Sequence, residues 1–279
     1  FISPVAGGAM AYLFFKLIGK LILGRKNPAR AAPRVVPFIA FFASMVVCLA
    51  TVYKGLGHII SDEASWLTGE IAIGLSVAVS IAVAAAAYVL TGRFLAGRDS
   101  EPLRQQLEAV EKCFAPMVVV TSCSVAFAHG SNDVANAIGP LAAVVDVAGS
   151  GFEAVETQVV VPFWVLTLGG AGIFIGLATF GHRVMMTVGR KITQITPSRG
   201  VAADIAATTT VLVCSRLKLP VSTTHTLVGA ILGIGLARGL GAVNREVTRN
   251  IFGSWLLTVP AAAGLSVVLY VAGSVIFLG

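Results

Sequence analysis

Apolar residues in this chain come in runs of about twenty, separated by short polar stretches, a pattern quite unlike the amphipathic stripes of soluble helices or the alternation of strands. A helix crossing a bilayer core of about 30 Å needs about 20 mostly apolar residues. On that criterion the pattern predicts seven segments. Five are plain, over residues 4–23, 35–53, 71–90, 159–180 and 251–278. Two are interrupted: 114–145 by the run His129-Gly130-Ser131-Asn132-Asp133, and 201–236 by Ser215-Arg216-Leu217-Lys218-Leu219-Pro220.

Composition sharpens this picture. With 279 residues, 56% hydrophobic and 12% charged, and a mean hydropathy of +0.89, the chain has too few charges to cover its apolar surface in water. Soluble, disordered, collagenous and disulfide-scaffold classes are excluded, and lipid is the expected solvent. Cys48, Cys113, Cys123 and Cys214 stand singly in or beside apolar runs, without metal or redox spacing, and read as small packed hydrophobes.

The net charge of +7 would suit nucleic acid as well as a membrane, so its distribution decides. Basic residues gather in residues 20–34 (five), 93–112 (four), 182–199 (four) and 238–249 (three), which are therefore expected on the cytoplasmic side. Residues 53–70 and 146–158 are acid-rich and expected outside. Basic loops flank 201–236 on both sides, so that segment is expected to enter and leave on the cytoplasmic face as a re-entrant hairpin. The basic excess is then a topology signal, and nucleic acid is not an expected partner. The charged stretch 93–112 reads as a solvated surface helix. The fold class is all-α: a polytopic membrane protein of about six transmembrane helices plus the hairpin, with residues 1–112 as a first helical unit and 113–279 as a second.

The interruptions carry the chemistry. An ionised carboxylate at the centre of a membrane helix costs roughly 2.5–3.5 kcal/mol on insertion scales, so Asp133 needs a partner or a purpose. Gly130 permits the backbone to leave helical geometry, Asn132 and Asn136 offer amide groups, and Gly139-Pro140 marks a second weak point. The expectation is a helix broken at mid-membrane and lining an enclosed cavity. The plainer alternative is a buried Asp133 that caps a kinked helix.

At the second interruption Pro220 ends what precedes it, and Ser222 or Thr223 reads as the N-cap of a new half-helix. Free backbone N–H groups with the hydroxyls of Ser222, Thr223 and Thr224 would form an anion site that contains no fixed positive side chain. Here too an ordinary capped helix is the plainer alternative. His225 suits packing as readily as ligand contact. A carboxylate beside a phosphate-like anion repels it, and a cation on Asp133 removes the conflict; by linkage each ligand then raises the other's affinity.

The run Phe127-Ala128-His129-Gly130-Ser131-Asn132-Asp133-Val134-Ala135-Asn136-Ala137-Ile138-Gly139-Pro140-Leu141, with Leu219-Pro220-Val221-Ser222-Thr223-Thr224-His225-Thr226-Leu227-Val228-Gly229, resembles the signature pair of the PiT family of inorganic phosphate transporters. The likeness extends over the whole chain, including Ile2-Ser3-Pro4. It implies an inverted-repeat carrier in which Ser222, Thr223, Thr224, Asn132 and Asp133 bind phosphate. Asp133, Asn132 and Asn136 would bind the coupling cation, Asp133 being the metal ligand if that cation is sodium. The family carries each motif twice and this chain carries each once, so the first repeat is expected to be missing, and with it half of the binding groups.

The expected function is therefore cation-coupled phosphate symport, by Na+ or H+, in a bacterial inner membrane. The partners are phosphate, the coupling ion, membrane lipid and the absent first repeat; homo-oligomers are left open and no cofactor is expected. Sulfate or a metal–phosphate complex is the nearest alternative cargo, since helix ends and hydroxyls bind tetrahedral oxyanions in general. An anion channel is an alternative of another class, disfavoured because it needs an open polar path whereas both polar clusters are expected at closed helix breaks. An enzyme is not expected: His129, Ser131 and Asp133 are too close in sequence to form a catalytic triad, and HExxH and GxSxG motifs are absent.

Overall fold

The computed structural model describes residues 2–52, 69–150, 161–217, 219 and 221–277. Among them the protein is all-helical, which is how a chain in lipid satisfies its backbone N–H and C=O groups without water. Helix α1 runs over Ile2–Ile18 and closes in a π-helical turn, Gly19–Leu23; α2 is Pro28–Ala50, α3 Gly69–Leu95, α4 Leu103–Ser150 and α5 Phe163–Met186. Then follow α6 over Pro197–Arg216, α7 over Thr223–Arg238 and α8 over Arg245–Phe277.

Among the described residues, six helices are long and apolar enough to cross a membrane: α1 with its π-helical turn, α2, α3, α4, α5 and α8. They account for the five plain segments and the first interrupted one. The protein is an integral membrane protein. The acid-rich stretches expected outside fall largely on residues 53–68 and 151–160, outside the described residues, as do Lys218 and Pro220 of the second interruption.

One expectation fails plainly. The helix expected to break at His129 to Asp133 is continuous: α4 is a single helix of 48 residues that passes through Gly130 and Gly139 without leaving helical geometry. A glycine inside a helix costs about 1 kcal/mol relative to alanine. A break would orphan several backbone groups in apolar surroundings, each costing a few kcal/mol. The polar side chains find lateral partners instead, so no break is needed to serve them.

At 1.5 Å per residue α4 is about 72 Å long, well over the ~30 Å bilayer core. Its first turns, with Arg104, Glu108 and Lys112 exposed, extend beyond the apolar part. The charged stretch 93–112 is thus not one separate surface helix. Gly97, at φ 75°, ends α3 in a left-handed conformation, and α4 starts after Pro102.

The hairpin of α6 and α7 lies at the centre. Val201, Ala202, Ala206, Ala230 and Ile234 are buried in a common core with Ala11 of α1, Val36 of α2 and Phe114 of α4. The outer helices α3, α5 and α8 expose Leu, Val, Ile and Phe side chains, as suits helices solvated by lipid. The two ends of the hairpin meet: Arg238 Nη1 donates to Thr193 Oγ1 at 3.1 Å, and Asn244 N to the Ile192 carbonyl at 3.0 Å. The chain therefore leaves the hairpin on the side where it entered.

Two contacts fix the hairpin's position. Glu111 of α4 caps the start of α6, its Oε1 accepting from Thr196 Oγ1 at 2.8 Å and Ser198 Oγ at 2.7 Å, and its Oε2 from Ser198 N at 2.8 Å. A carboxylate at a helix N-terminus also complements the helix dipole. On the other side α1 and α7 meet backbone to backbone through small residues, as is common between membrane helices. A Cβ on Gly8 would lie 2.9 Å from the Gly229 carbonyl oxygen, and one on Gly233 would overlap the Gly8 backbone.

Candidate functional site

Helix periodicity puts His129, Asn132, Asp133 and Asn136 on one side of α4, at spacings of three and four residues. That side faces the head of α7. Ser222 is the N-cap of α7, in extended geometry, and its Oγ accepts from His225 N at 3.3 Å. Its own N–H donates to Ser3 Oγ of α1 at 3.3 Å, so the tight α1–α7 packing also anchors the cap. Beneath the junction Ala128, Val211, Cys214 and Val221 form a small apolar cluster.

The two motifs touch through Asp133 and Thr223, ninety residues apart. Thr223 Oγ1 donates to Asp133 Oδ1 at 3.0 Å. His129 Nδ1 lies 2.7 Å from Thr223 Oγ1 and 3.2 Å from Asp133 Oδ2, within hydrogen-bonding distance of both. Asn132 Nδ2 donates to the Val221 carbonyl at 3.1 Å and to Asp133 Oδ1 at 3.3 Å. Asp133 is thus satisfied from three directions, yet its side chain remains 36% exposed, which leaves the carboxylate open to an ion on one side.

The structure divides the remaining expected site residues. Ser222 is occupied as a cap, and Thr223 is buried against Asp133. Thr224 points elsewhere, into a groove of about 510 Å³ that also has Arg183, Lys191, Asn250 and Ser254 on its walls. Asn136 is exposed one turn beyond Asn132. His225 packs on Trp255 with ring centroids 4.1 Å apart, the packing role open to it from the sequence.

Two participants escaped sequence reasoning. His129 belonged to the motif without a role, and its i, i+4 spacing to Asp133 was the available signal. Asp204, in the Ala-rich middle of α6, is only 8% exposed and accepts from Thr121 Oγ1 at 2.8 Å and Ser122 Oγ at 2.7 Å. A lone carboxylate in an apolar segment was the available signal there, by the reasoning that singled out Asp133. Two hydroxyls from α4 offset its burial, and so it ties α4 to α6.

In chemical terms the site offers a hydrogen-bonded carboxylate, amide groups and a helix N-terminus. The N–H groups at the first two positions of α7, Thr223 and Thr224, have no acceptor within the helix. A cation suits the carboxylate and an oxyanion suits the helix end.

Comparison with known proteins gives the relationships of the whole chain. The family model described as the phosphate transporter family matches residues 1–266. A Haemophilus influenzae protein named as a phosphate permease is 41% identical over 277 residues, covering 99% of this chain and 64% of that protein. The Arabidopsis thaliana protein named inorganic phosphate transporter 2-1, chloroplastic, is 39% identical, over 96% of this chain and 47% of its own length. A solved structure titled as the sodium-dependent phosphate transporter superposes with a TM-score of 0.81 at 39% identity, covering 99% of this chain and 65% of that one. The chain thus spans a little under two thirds of the length of these bacterial and structural relatives. On these relationships the chain belongs to the phosphate transporter family.

Proposed function

We propose that the protein carries inorganic phosphate across a bacterial inner membrane, driven by a coupled cation, with the junction of α4 and α7 as its half of the binding site. The observation that carries this reading is the hydrogen bond from Thr223 to Asp133, which couples a carboxylate directly to the N-terminus of α7. An anion at that terminus lies close to Asp133. Two unit charges 4 Å apart at an effective dielectric constant of 20 interact by about 4 kcal/mol, so an unoccupied Asp133 weakens phosphate binding by roughly a thousandfold. A cation on Asp133 lifts the penalty, and the same free energy makes phosphate tighten the cation.

Asn132 and Asn136 complete the cation's oxygen ligands, and Thr223 with the first N–H groups of α7 holds phosphate. Sodium is the proposed cation, in keeping with the name of the solved relative. The basic connections face the cytoplasm, and α6 and α7 form a re-entrant hairpin that begins and ends there, a reading supported by the meeting of residues 192–193 with 238 and 244. Residues 113–279 act as one transport repeat, and an inverted counterpart supplies the opposite wall of the half-open site. The test is uptake of labelled phosphate into vesicles containing the purified complete protein, with both repeats. Accumulation above the external concentration under an imposed sodium gradient is expected; uptake that merely equilibrates, with or without the gradient, would overturn the reading.

A further inference from the structure

The turn joining α1 to α2 is only four residues long, Gly24 to Asn27, and is closed by hydrogen bonds from Gly24 N to the Gly19 carbonyl at 2.7 Å and from Arg25 N to the Ile22 carbonyl at 3.1 Å. It brings Arg25 and Lys26 beside Arg30 and Arg34, successive turns of α2, around a pocket of about 660 Å³. Leu21 and Val35 supply its apolar wall. No carboxylate lines the pocket, and among the described residues none of these four cations makes an ion pair. The N-terminus of α2 adds a dipole of the same sign.

A topology signal requires basic residues in a loop, wherever they point. It does not account for four of them converging on one concavity, where they repel each other unless an anion lies between. The pocket sits at the ends of two membrane-crossing helices. Directly below it Phe38, one turn past Arg34, is 76% exposed, and Leu17, one turn before Leu21, is 51% exposed. A cationic mouth thus lies next to exposed apolar side chains on the same two helices, and an amphiphile with an anionic head and hydrocarbon tails matches both parts.

We propose that this pocket binds the phosphate headgroup of an anionic phospholipid, with the guanidinium groups of Arg25, Arg30 and Arg34 on the phosphate oxygens and the acyl chains along Leu17 and Phe38. Guanidinium groups favour this assignment, since their planar forks pair with phosphate through two hydrogen bonds at once. The site is distinct from the junction of α4 and α7 and independent of the transported substrate. A soluble phosphate would satisfy the cations and leave the apolar shelf unused.

Native mass spectrometry of the delipidated, purified protein titrated with phosphatidylglycerol or phosphatidylcholine tests the proposal. Phosphatidylglycerol should bind at least about tenfold more tightly than phosphatidylcholine. The triple variant Arg25→Gln/Arg30→Gln/Arg34→Gln should lose that preference, while Arg190→Gln/Arg245→Gln/Arg249→Gln, which removes three exposed cations elsewhere, should keep it. Should the first triple variant fail to fold, Arg34→Gln alone should weaken phosphatidylglycerol by about threefold. Inorganic phosphate at millimolar concentration should leave the lipid bound. Equal losses in the two triple variants, equal binding of the two lipids, an unweakened Arg34→Gln, or displacement of the lipid by inorganic phosphate would each overturn it.

Discussion

Replacing Gly7 by alanine tests how the head of α7 is held in place. A Cβ on Gly7 would lie 2.5 Å from the Thr226 carbonyl oxygen and 2.9 Å from Thr226 Cγ2. Ordinary contact between a carbon and a carbonyl oxygen needs about 3.4 Å. Backbone cannot rotate out of the way like a flexible side chain, so α1 must retreat from α7 by close to 1 Å. Overpacking of this kind costs about 1–3 kcal/mol, or roughly 2–10 °C of melting temperature for a chain of this size. The retreat also carries Ser3, one turn earlier on α1, away from Ser222 N, now 3.3 Å distant, and so breaks the bond that anchors the cap of α7. Gly7→Ala should therefore lower both melting temperature and phosphate uptake. Gly253→Ala is the control, because a Cβ there meets nothing within 4 Å and alanine favours a helix by up to about 1 kcal/mol. Thermal unfolding in detergent, read by intrinsic fluorescence, gives the comparison. A Gly7→Ala protein that melts as high as Gly253→Ala would refute the packing argument.

Thr223→Val keeps the shape of the side chain and removes the donor to Asp133, so initial uptake should fall about 10–100-fold, as expected for a hydrogen bond to a charged group; Thr224→Val, on the far side of α7, should change it less than about threefold. Glu111→Ala removes the acceptor of three hydrogen bonds at the start of α6 and should cost about 2–3 kcal/mol of stability, measured by denaturant titration. Single cysteines placed at Ser100 and Gly241, both exposed, in a protein otherwise free of cysteine, should be labelled from the cytoplasmic side alone; labelling from opposite sides would contradict the proposed orientation.

The spans were legible because they rest on composition over about twenty residues, a local property that lipid reads directly. A cap at Ser222 or Thr223 was legible for a similar reason, since a hydroxyl before an apolar run suits a helix start, and the structure gives the role to Ser222. The continuity of α4 was not. A polar run containing Gly130 resembles a break when read alone, and only the partners supplied from α7, some ninety residues later, make an unbroken helix the cheaper solution. Glu111 with Ser198, and Asp204 with Thr121 and Ser122, were hidden for the same reason: each pair depends on the register between two helices more than eighty residues apart. The division of Ser222, Thr223 and Thr224 among three surroundings followed from the rotation of α7 about its axis, which the packing of Gly7 and Gly8 against it sets.

The central claim is that the charge of Asp133 makes phosphate binding depend on a cation. Asp133→Asn removes that charge and keeps the size of the side chain and its ability to accept from Thr223. The most direct measurement is uptake of labelled phosphate by vesicles containing the complete wild-type or Asp133→Asn protein, with and without a sodium gradient. The account predicts that the wild type accumulates phosphate only with the gradient, and that the variant responds to sodium weakly or not at all and never exceeds equilibration. Gradient-driven accumulation by Asp133→Asn equal to that of the wild type would contradict it and leave Asp133 as a structural partner of Thr223.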